Sequence, residues 1–304
     1  MNSTINVSQR SQEWFNQRKM RMTGSRIGAI LGVSPWQKPD DVLRAMVREY
    51  HDYPSEFVSN PAVDHGNNNE QRALLCFMRK TGLMVEECGF FEYGELMGAS
   101  PDGLTSDGST LEIKVPFGLR NQQDAQFKPL SDQPHYAHQV QMEILASGRS
   151  HGYFAQYVAP KGDPLSIDYV PEQMAIERIE SDSEWIDSVL PDLDAFYKRL
   201  ISEIDNPEHL EPLRVVIDTD EASFLLDAID KLKAAQKDLE AQEKDALSKL
   251  IDLADSKDAL IHGRKLTLVK RVGSISYAKA IAELAPDADL EKWRGKPSSS
   301  WRLS

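Results

Sequence analysis

Two cysteines, Cys76 and Cys88, are all that the 304 residues contain. That is too few for a disulfide scaffold or for a four-cysteine zinc or iron–sulfur site, so reduced thiols and a cytoplasmic setting are expected. No run of about 18 apolar residues occurs, and no membrane span is expected. The opening MNSTINVSQRSQEW lacks the apolar stretch of a secretory signal. Positive charge is also short. Lys and Arg number 35 against 48 Asp and Glu, a formal net charge of -13, which argues against a protein that coats nucleic acid with its whole surface. Any contact with a polyanion is expected to be confined to a patch. The remaining composition is that of a globular chain, long enough for one large domain or a domain with an appendage.

What is present centres on Met97 to Gln141. Asp102, Glu112 and Lys114 form a D…ExK pattern there. Two carboxylates a short hairpin apart suit Mg²⁺, a hard cation that prefers oxygen ligands. A lysine two residues after the second carboxylate projects from the same face of a strand, where it can orient a water and offset charge on a phosphate. Leu111, Ile113 and Val115 alternate with Glu112 and Lys114, so one face is committed to a core and the other to charge. SPDG at Ser100–Gly103 and SDG at Ser106–Gly108 supply turn chemistry. The competing reading is a solvated hairpin with a cross-strand ion pair.

Ahead of this stretch, Ser11 is placed to cap a helix running through Arg18, and a second helix starts near Thr23 and ends at Gly32. RKMRMTGSR brings Arg18, Lys19, Arg21 and Arg26 together with two hydroxyls, a composition that suits phosphate or DNA binding as well as a solvated basic loop. Helices are expected over Pro39–Tyr50 and Asn60–Gly82. Glu70 in the latter reads as a third metal ligand or as an anion favoured at a helix start. Val85–Tyr93 reads as a strand, and Pro134–Ala146 as a helix carrying Tyr136, Gln139, Gln141 and Glu143. Gly152–Val158 and Leu165–Val170 read as a hairpin. A helix from Ser181 to Ile204 carries Pro191, expected to kink or split it. Pro207–Pro212 is a linker candidate separating residues 1–206 from an extension, 207–304. In that extension Leu225, Ile229, Leu232, Gln236, Leu239, Glu243, Ala246, Leu250 and Leu253 fall at heptad steps. That helix is expected to pack on the preceding domain, a neighbouring subunit or a second short helix. Lys265–Val272 reads as strand-like and Tyr277–Leu284 as a helix. The Trp293, Arg294, Lys296, Trp301 and Arg302 tail reads as docked or as a surface for stacking with nucleic acid.

Together EWFNQR…TGSRIGAILG, HGNNNEQRAL, GASPDG, LEIKVP and the Tyr136-x-x-Gln139 helix resemble, over roughly residues 10–200, the YqaJ/phage lambda exonuclease family of viral recombination nucleases. The resemblance implies an α/β, restriction-endonuclease-like fold, with a central mixed sheet flanked by helices. It implies Asp102 and Glu112 as metal-binding carboxylates, Ile113 lending a backbone carbonyl and Lys114 as the catalytic lysine. Glu70 then completes the site and Gln139 is the glutamine of the last motif. Arg18, Ser25, Ser100 and Arg120 correspond to contacts of a 5′-phosphate. Mg²⁺, two ions with Mn²⁺ as a substitute, is the implied cofactor.

The implied activity is 5′→3′ digestion of one strand of duplex ends for recombination. An annealing protein is the implied partner, and the implied assembly is a homo-oligomer, a ring trimer among the options. An endonuclease of the same fold and a non-catalytic DNA-binding scaffold are the alternatives. Degradation of closed circular DNA separates the first two, and the intact acidic set argues against the third.

Overall fold

The computed structural model describes residues 3–270, 276–285, 288–290, 294–296 and 299. Arg271 and Val272 of the expected strand, and Trp293, Trp301 and Arg302 of the tail, lie outside the described residues. The chain divides into two compact units, residues 1–213 and 214–304.

In the first unit β1 (Ser3–Ile5) leads to α1 (Gln12–Arg18), whose Trp14 amide donates to the Ser11 hydroxyl at 3.2 Å. β2 (Met22–Thr23) runs into α2 (Gly24–Ile30), followed by α3 (Pro39–Tyr50). α4 (Pro61–Thr81) starts on Asn60, whose side chain accepts from the amides of Ala62 and Val63, and stops at left-handed Gly82. The region expected as one strand, Val85–Tyr93, is two: β3 (Val85–Glu86) and β4 (Phe90–Tyr93), which join different sheets. Gly89 between them lies so close to the Ile5 carbonyl that a Cβ there would meet it. The chain is therefore drawn off toward β1, which pairs with β4.

β5 (Met97–Ala99) completes a four-stranded sheet ordered β1-β4-β5-β2. β6 (Gly103–Thr105) and β7 (Thr110–Lys114) form the hairpin expected around the two turns. After α5 (Pro134–Ser147) come β8 (His151–Val158), parallel to β7, and β9 (Gln173–Glu180), antiparallel to β8. The second sheet is thus mixed, ordered β3-β6-β7-β8-β9. Leu165–Val170 is not the second strand of that hairpin. Leu165 and Ile167 are almost wholly exposed, and only Val170 pairs, with Lys161. The partner of β8 is the charged edge strand β9, whose glutamates and arginine obscure its alternation.

α6 (Trp185–Ser202) continues through Pro191 as one element and buries Trp185, Val189, Leu193, Phe196 and Leu200. These side chains share a core with α2, α3 and the first sheet. A second core joins Ala73, Cys76 and Phe77 of α4 to Leu111 and Ile113 of β7. The apolar face of β7 is therefore turned to α4. Residues 207–213 stay with the first unit because Arg44 and Arg48 donate to the carbonyls of Glu208 and Leu210 at 2.8 Å, and the Leu213 amide donates to Glu56.

The second unit holds α7 (Asp220–Leu253), the hairpin of β10 (Ala259–Ile261) and β11 (Arg264–Leu266), and α8 (Tyr277–Leu284). β11 stops earlier than the expected strand because its partner β10 begins at Ala259, which pairs with Leu266. No residue of α7 is buried, and the seam side chains Leu225, Leu232, Leu239 and Leu253 are more than half exposed. No helix among the described residues is long and apolar enough to cross a membrane.

Candidate active site

The charged face of β7 is turned toward α5. Glu112 is buried, 3% exposed, and its Oε1 accepts from Lys114 Nζ at 2.5 Å and from Gln139 Nε2 at 2.6 Å. Lys114 Nζ also donates to Gln139 Oε1 at 3.3 Å and stands 4.6 Å from the centre of the Tyr136 ring. Asp102 arrives from the turn before β6, its Oδ2 accepting the Ile113 amide at 2.7 Å. That turn is fixed by Gln9 Nε2, which donates to the Pro101 carbonyl at 2.7 Å.

The electrostatics are lopsided. Burial, then the charge of Glu112, pushes Asp102 well above the usual carboxylate range, against the pull of Lys114 and the Ile113 amide. Lys114 is held charged because Glu112, Tyr136 and Asp102 outweigh its own desolvation. Glu112 Oε2 is buried without a hydrogen-bond partner. A strand and a turn thus bring two carboxylates, one of them carrying an orphaned oxygen, within electrostatic reach of a single lysine, which pairs with Glu112. That donor set is all oxygen and over-charged, which fits a hard divalent cation. Among the described residues no group of three or more His, Cys, Asp or Glu side chains is gathered to hold a metal, so the fit rests on Asp102 and Glu112.

Glu70 lies nine residues into α4, which begins at Pro61, so it is not a helix-start anion. It is less than half exposed, is paired with Arg10 at 2.6 Å, and its charge contributes to the rise of Asp102. Reasoning from sequence missed Glu143. It is 1% exposed, its Oε1 accepts from Gln139 Nε2 at 2.9 Å, and its Oε2 has no partner. Burial and the charge of Glu112 raise its pKa well above the usual range. Its signal was the i,i+4 step from Gln139, which puts both on one helix face.

Glu143 yields a pH-dependent expectation. Glu143→Gln keeps an oxygen to accept from Gln139 and removes one of three crowded carboxylates. Because the folded pKa lies above the unfolded one, the native charge destabilises at pH above the folded pKa, and that penalty vanishes below the unfolded value. The variant should therefore melt higher than wild type at pH 8, with the gain fading near pH 4. Thermal melts across that range check it, and a gain that grows on acidification would contradict the assignment.

Arg18, Ser25 and Ser100 are brought together by Trp14, another residue that sequence reasoning did not single out. The Trp14 indole N–H donates to Ser100 Oγ at 2.8 Å, and the Arg18 guanidinium lies 4.2 Å from the Trp14 ring centre. Arg18 donates to Ser25 Oγ at 2.9 Å and Thr23 Oγ1 at 3.3 Å. Burial and the neighbouring charge of Arg26 push it down to about 10, so it stays cationic at neutral pH. Its cationic neighbours are committed elsewhere: Lys19 to Asp52, Arg21 to Glu92, and Arg26 to Glu49 and to the carbonyls of Arg18 and Arg21. Arg26 therefore buttresses the Arg18 loop. Arg120 follows β7 and sits 3.5 Å over the Phe117 ring while donating to the Phe117 carbonyl at 2.6 Å. Cys88 is no rival nucleophile, its thiol pushed up to about 12 by burial.

A D…ExK strand pair inside a mixed sheet, flanked by helices and faced by a glutamine helix, defines a nuclease-type domain. Residues 13–150 match the model of the YqaJ-like viral recombinase domain. Over 122 residues it is 30% identical to the uncharacterized protein R354 of Acanthamoeba polyphaga mimivirus, a match taking in 36% of this chain and 22% of that protein. The chain thus spans about a fifth of the length of that curated relative. Among solved structures it is similar to the alkaline exonuclease LHK-Exo of Laribacter hongkongensis, at 27% identity and a TM-score of 0.52, covering 65% of this chain and 96% of that one. The complex of LHK-Exo with dAMP matches at the same identity and TM-score, covering 64% and 95%.

Proposed function

We propose that this protein is a Mg²⁺-dependent 5′→3′ exonuclease that degrades one strand of linear duplex DNA for phage-type recombination. The observation that carries the reading is the juxtaposition of the Arg18, Ser25 and Ser100 cluster with the acidic site. Ser100, bound to Trp14, is two residues from Asp102, and the charge of Glu112 acts on Arg18. An enzyme that holds a terminal phosphate needs such a cluster, whereas one cutting internally does not. That a similar structure was solved in complex with dAMP supports nucleotide binding by this fold.

In this reading Asp102, Glu112 and the Ile113 carbonyl hold the cation, with Glu70 completing the set. Bound Mg²⁺ would supply Lewis acidity toward the phosphate and lower the pKa of an attacking water. Lys114 orients that water and offsets charge developing on the phosphate oxygens. Gln139 fixes Glu112 and Lys114 at once, since its amide donates to one and accepts from the other. Arg18, Ser25, Ser100 and Arg120 grip the terminal 5′-phosphate. Assembly as a homo-oligomer, and hand-over of the remaining strand to an annealing protein, belong to the same reading.

Arg18→Ala and Arg120→Ala should each weaken use of 5′-phosphorylated ends by roughly tenfold or more, because a hydrogen bond to a charged group contributes about 1.5–3 kcal/mol. The loss on 5′-hydroxyl ends should be much smaller. Rates on the two matched substrates test this, and equal losses on both would contradict the pocket.

A further inference from the structure

An exposed tryptophan with no role in the site described above is linked to the catalytic lysine through the ring of Tyr136. Trp36 lies in the turn between α2 and α3 and is 67% exposed. A single exposed apolar side chain is ordinary by itself. This one is mounted. Its ring packs edge-to-face with His135, centroids 4.7 Å apart at 87°, and lies 5.7 Å from Tyr136. His135 and Tyr136 are themselves 4.1 Å apart, and the Tyr136 ring carries Lys114 Nζ 4.6 Å from its centre. Only one ring therefore separates the exposed indole from the lysine at the scissile phosphate.

The mounting is rigid because α2 and α5 approach very closely. A Cβ on Gly28 would come within 2.7 Å of the His135 Cα, so only glycine lets the helices meet there. His135 is kept neutral by burial and by the charge of Lys114, so the ladder offers ring surface rather than a second cation. A flat, fixed, uncharged surface next to a phosphate-handling lysine matches one part of a nucleotide, its base. Stacking of this kind tolerates any sequence, because every base has a π-face.

We propose that Trp36 is a nucleobase-binding residue, on which the base nearest the scissile phosphate stacks while Lys114 meets the phosphate. The inference rests on the nuclease reading above. It adds a subsite on α2–α3 that none of the residues of the D…ExK pattern or the phosphate pocket provides.

The test uses the full chain with Ca²⁺ in place of Mg²⁺, and 5′-phosphorylated oligonucleotides carrying 2-aminopurine or an abasic residue at the terminal position. Wild type should quench 2-aminopurine and bind the intact end about five- to a hundredfold tighter than the abasic end. Trp36→Ala should lose the quenching and bind both ends alike, at the abasic level. Trp36→Phe should recover most of the preference. Because Trp36 is largely exposed, Trp36→Ala should melt like wild type, which separates loss of stacking from loss of fold. Wild-type quenching and base preference retained in Trp36→Ala would overturn the proposal while leaving the nuclease reading standing. Equal weakening of intact and abasic ends would also overturn it, since the surface would then serve something other than a base. A wild-type protein that neither binds nor cuts DNA would overturn the nuclease reading itself and this subsite with it.

Discussion

Replacing Asp102 or Glu112 by alanine is expected to reduce DNA hydrolysis on the order of a thousandfold or more, with the fold intact. Each change removes one of the two carboxylates whose charges act on Lys114, and neither side chain supports the apolar face of β7, which is turned the other way, against α4. Two effects on stability oppose each other for Asp102→Ala. The Ile113 amide loses its acceptor, a cost of about 1–3 kcal/mol if it stays buried. Removal of a carboxylate held far above its usual pKa by burial and by Glu112 relieves a penalty of the same order. The metal-free variant should therefore melt within a few degrees of wild type. Mg²⁺ should separate them. A ligand at ten times its Kd stabilises the form that binds it by about 1.4 kcal/mol, so wild type should gain and the variants should not. Thermal melts with EDTA and with Mg²⁺, beside a hydrolysis assay, check both halves.

Lys114→Ala should fail in a different way. Without the ammonium, Glu112 is left buried with Gln139 as its remaining partner, and breaking a buried ion pair costs ~3 kcal/mol or more. The metal-free variant should be destabilised by that order, and Mg²⁺ should restore much of it by giving the carboxylates a new counter-charge. Binding of the cation survives because lysine is not a ligand. Hydrolysis stays slowed on the order of a hundredfold or more, since the group that orients the water and offsets charge on the phosphate is gone. Calorimetric Mg²⁺ titration and single-turnover rates separate the two effects. Loss of cation binding along with activity would assign Lys114 a structural role instead.

How far these residues were legible in the chain depends on how local their partners are. β7 was readable because strand alternation is a two-residue pattern, and Leu111 and Ile113 against Glu112 and Lys114 state it without help. The start of α1 at Ser11 and the stop of α4 at Gly82 were readable for the same reason, each being settled within one helical turn. The basic run from Arg18 to Arg26 was not. Its carboxylate partners Asp52, Glu92 and Glu49 lie 23 to 71 residues away, so nothing nearby distinguished Arg18, which faces hydroxyls, from its neighbours. Glu143 was hidden differently. A glutamate on a helix reads as solvated until the opposite element is known, and here that element is β7. Leu165–Val170 misled because its apolar residues suggested burial, whereas β8 takes its partner from a segment that looks polar. Val85–Tyr93 was split by a backbone contact at Gly89 with the N-terminal strand, a long-range event without local trace.

The most direct test of the central claim is a time course on linear duplex DNA carrying a label at the 5′ or the 3′ terminus, with Mg²⁺ or EDTA, beside a covalently closed circle. The account predicts early release of the 5′ label as mononucleotide, a lasting 3′-labelled strand, an intact circle and no reaction in EDTA. Linearisation of the circle, early loss of the 3′ label, or hydrolysis that persists in EDTA would contradict it.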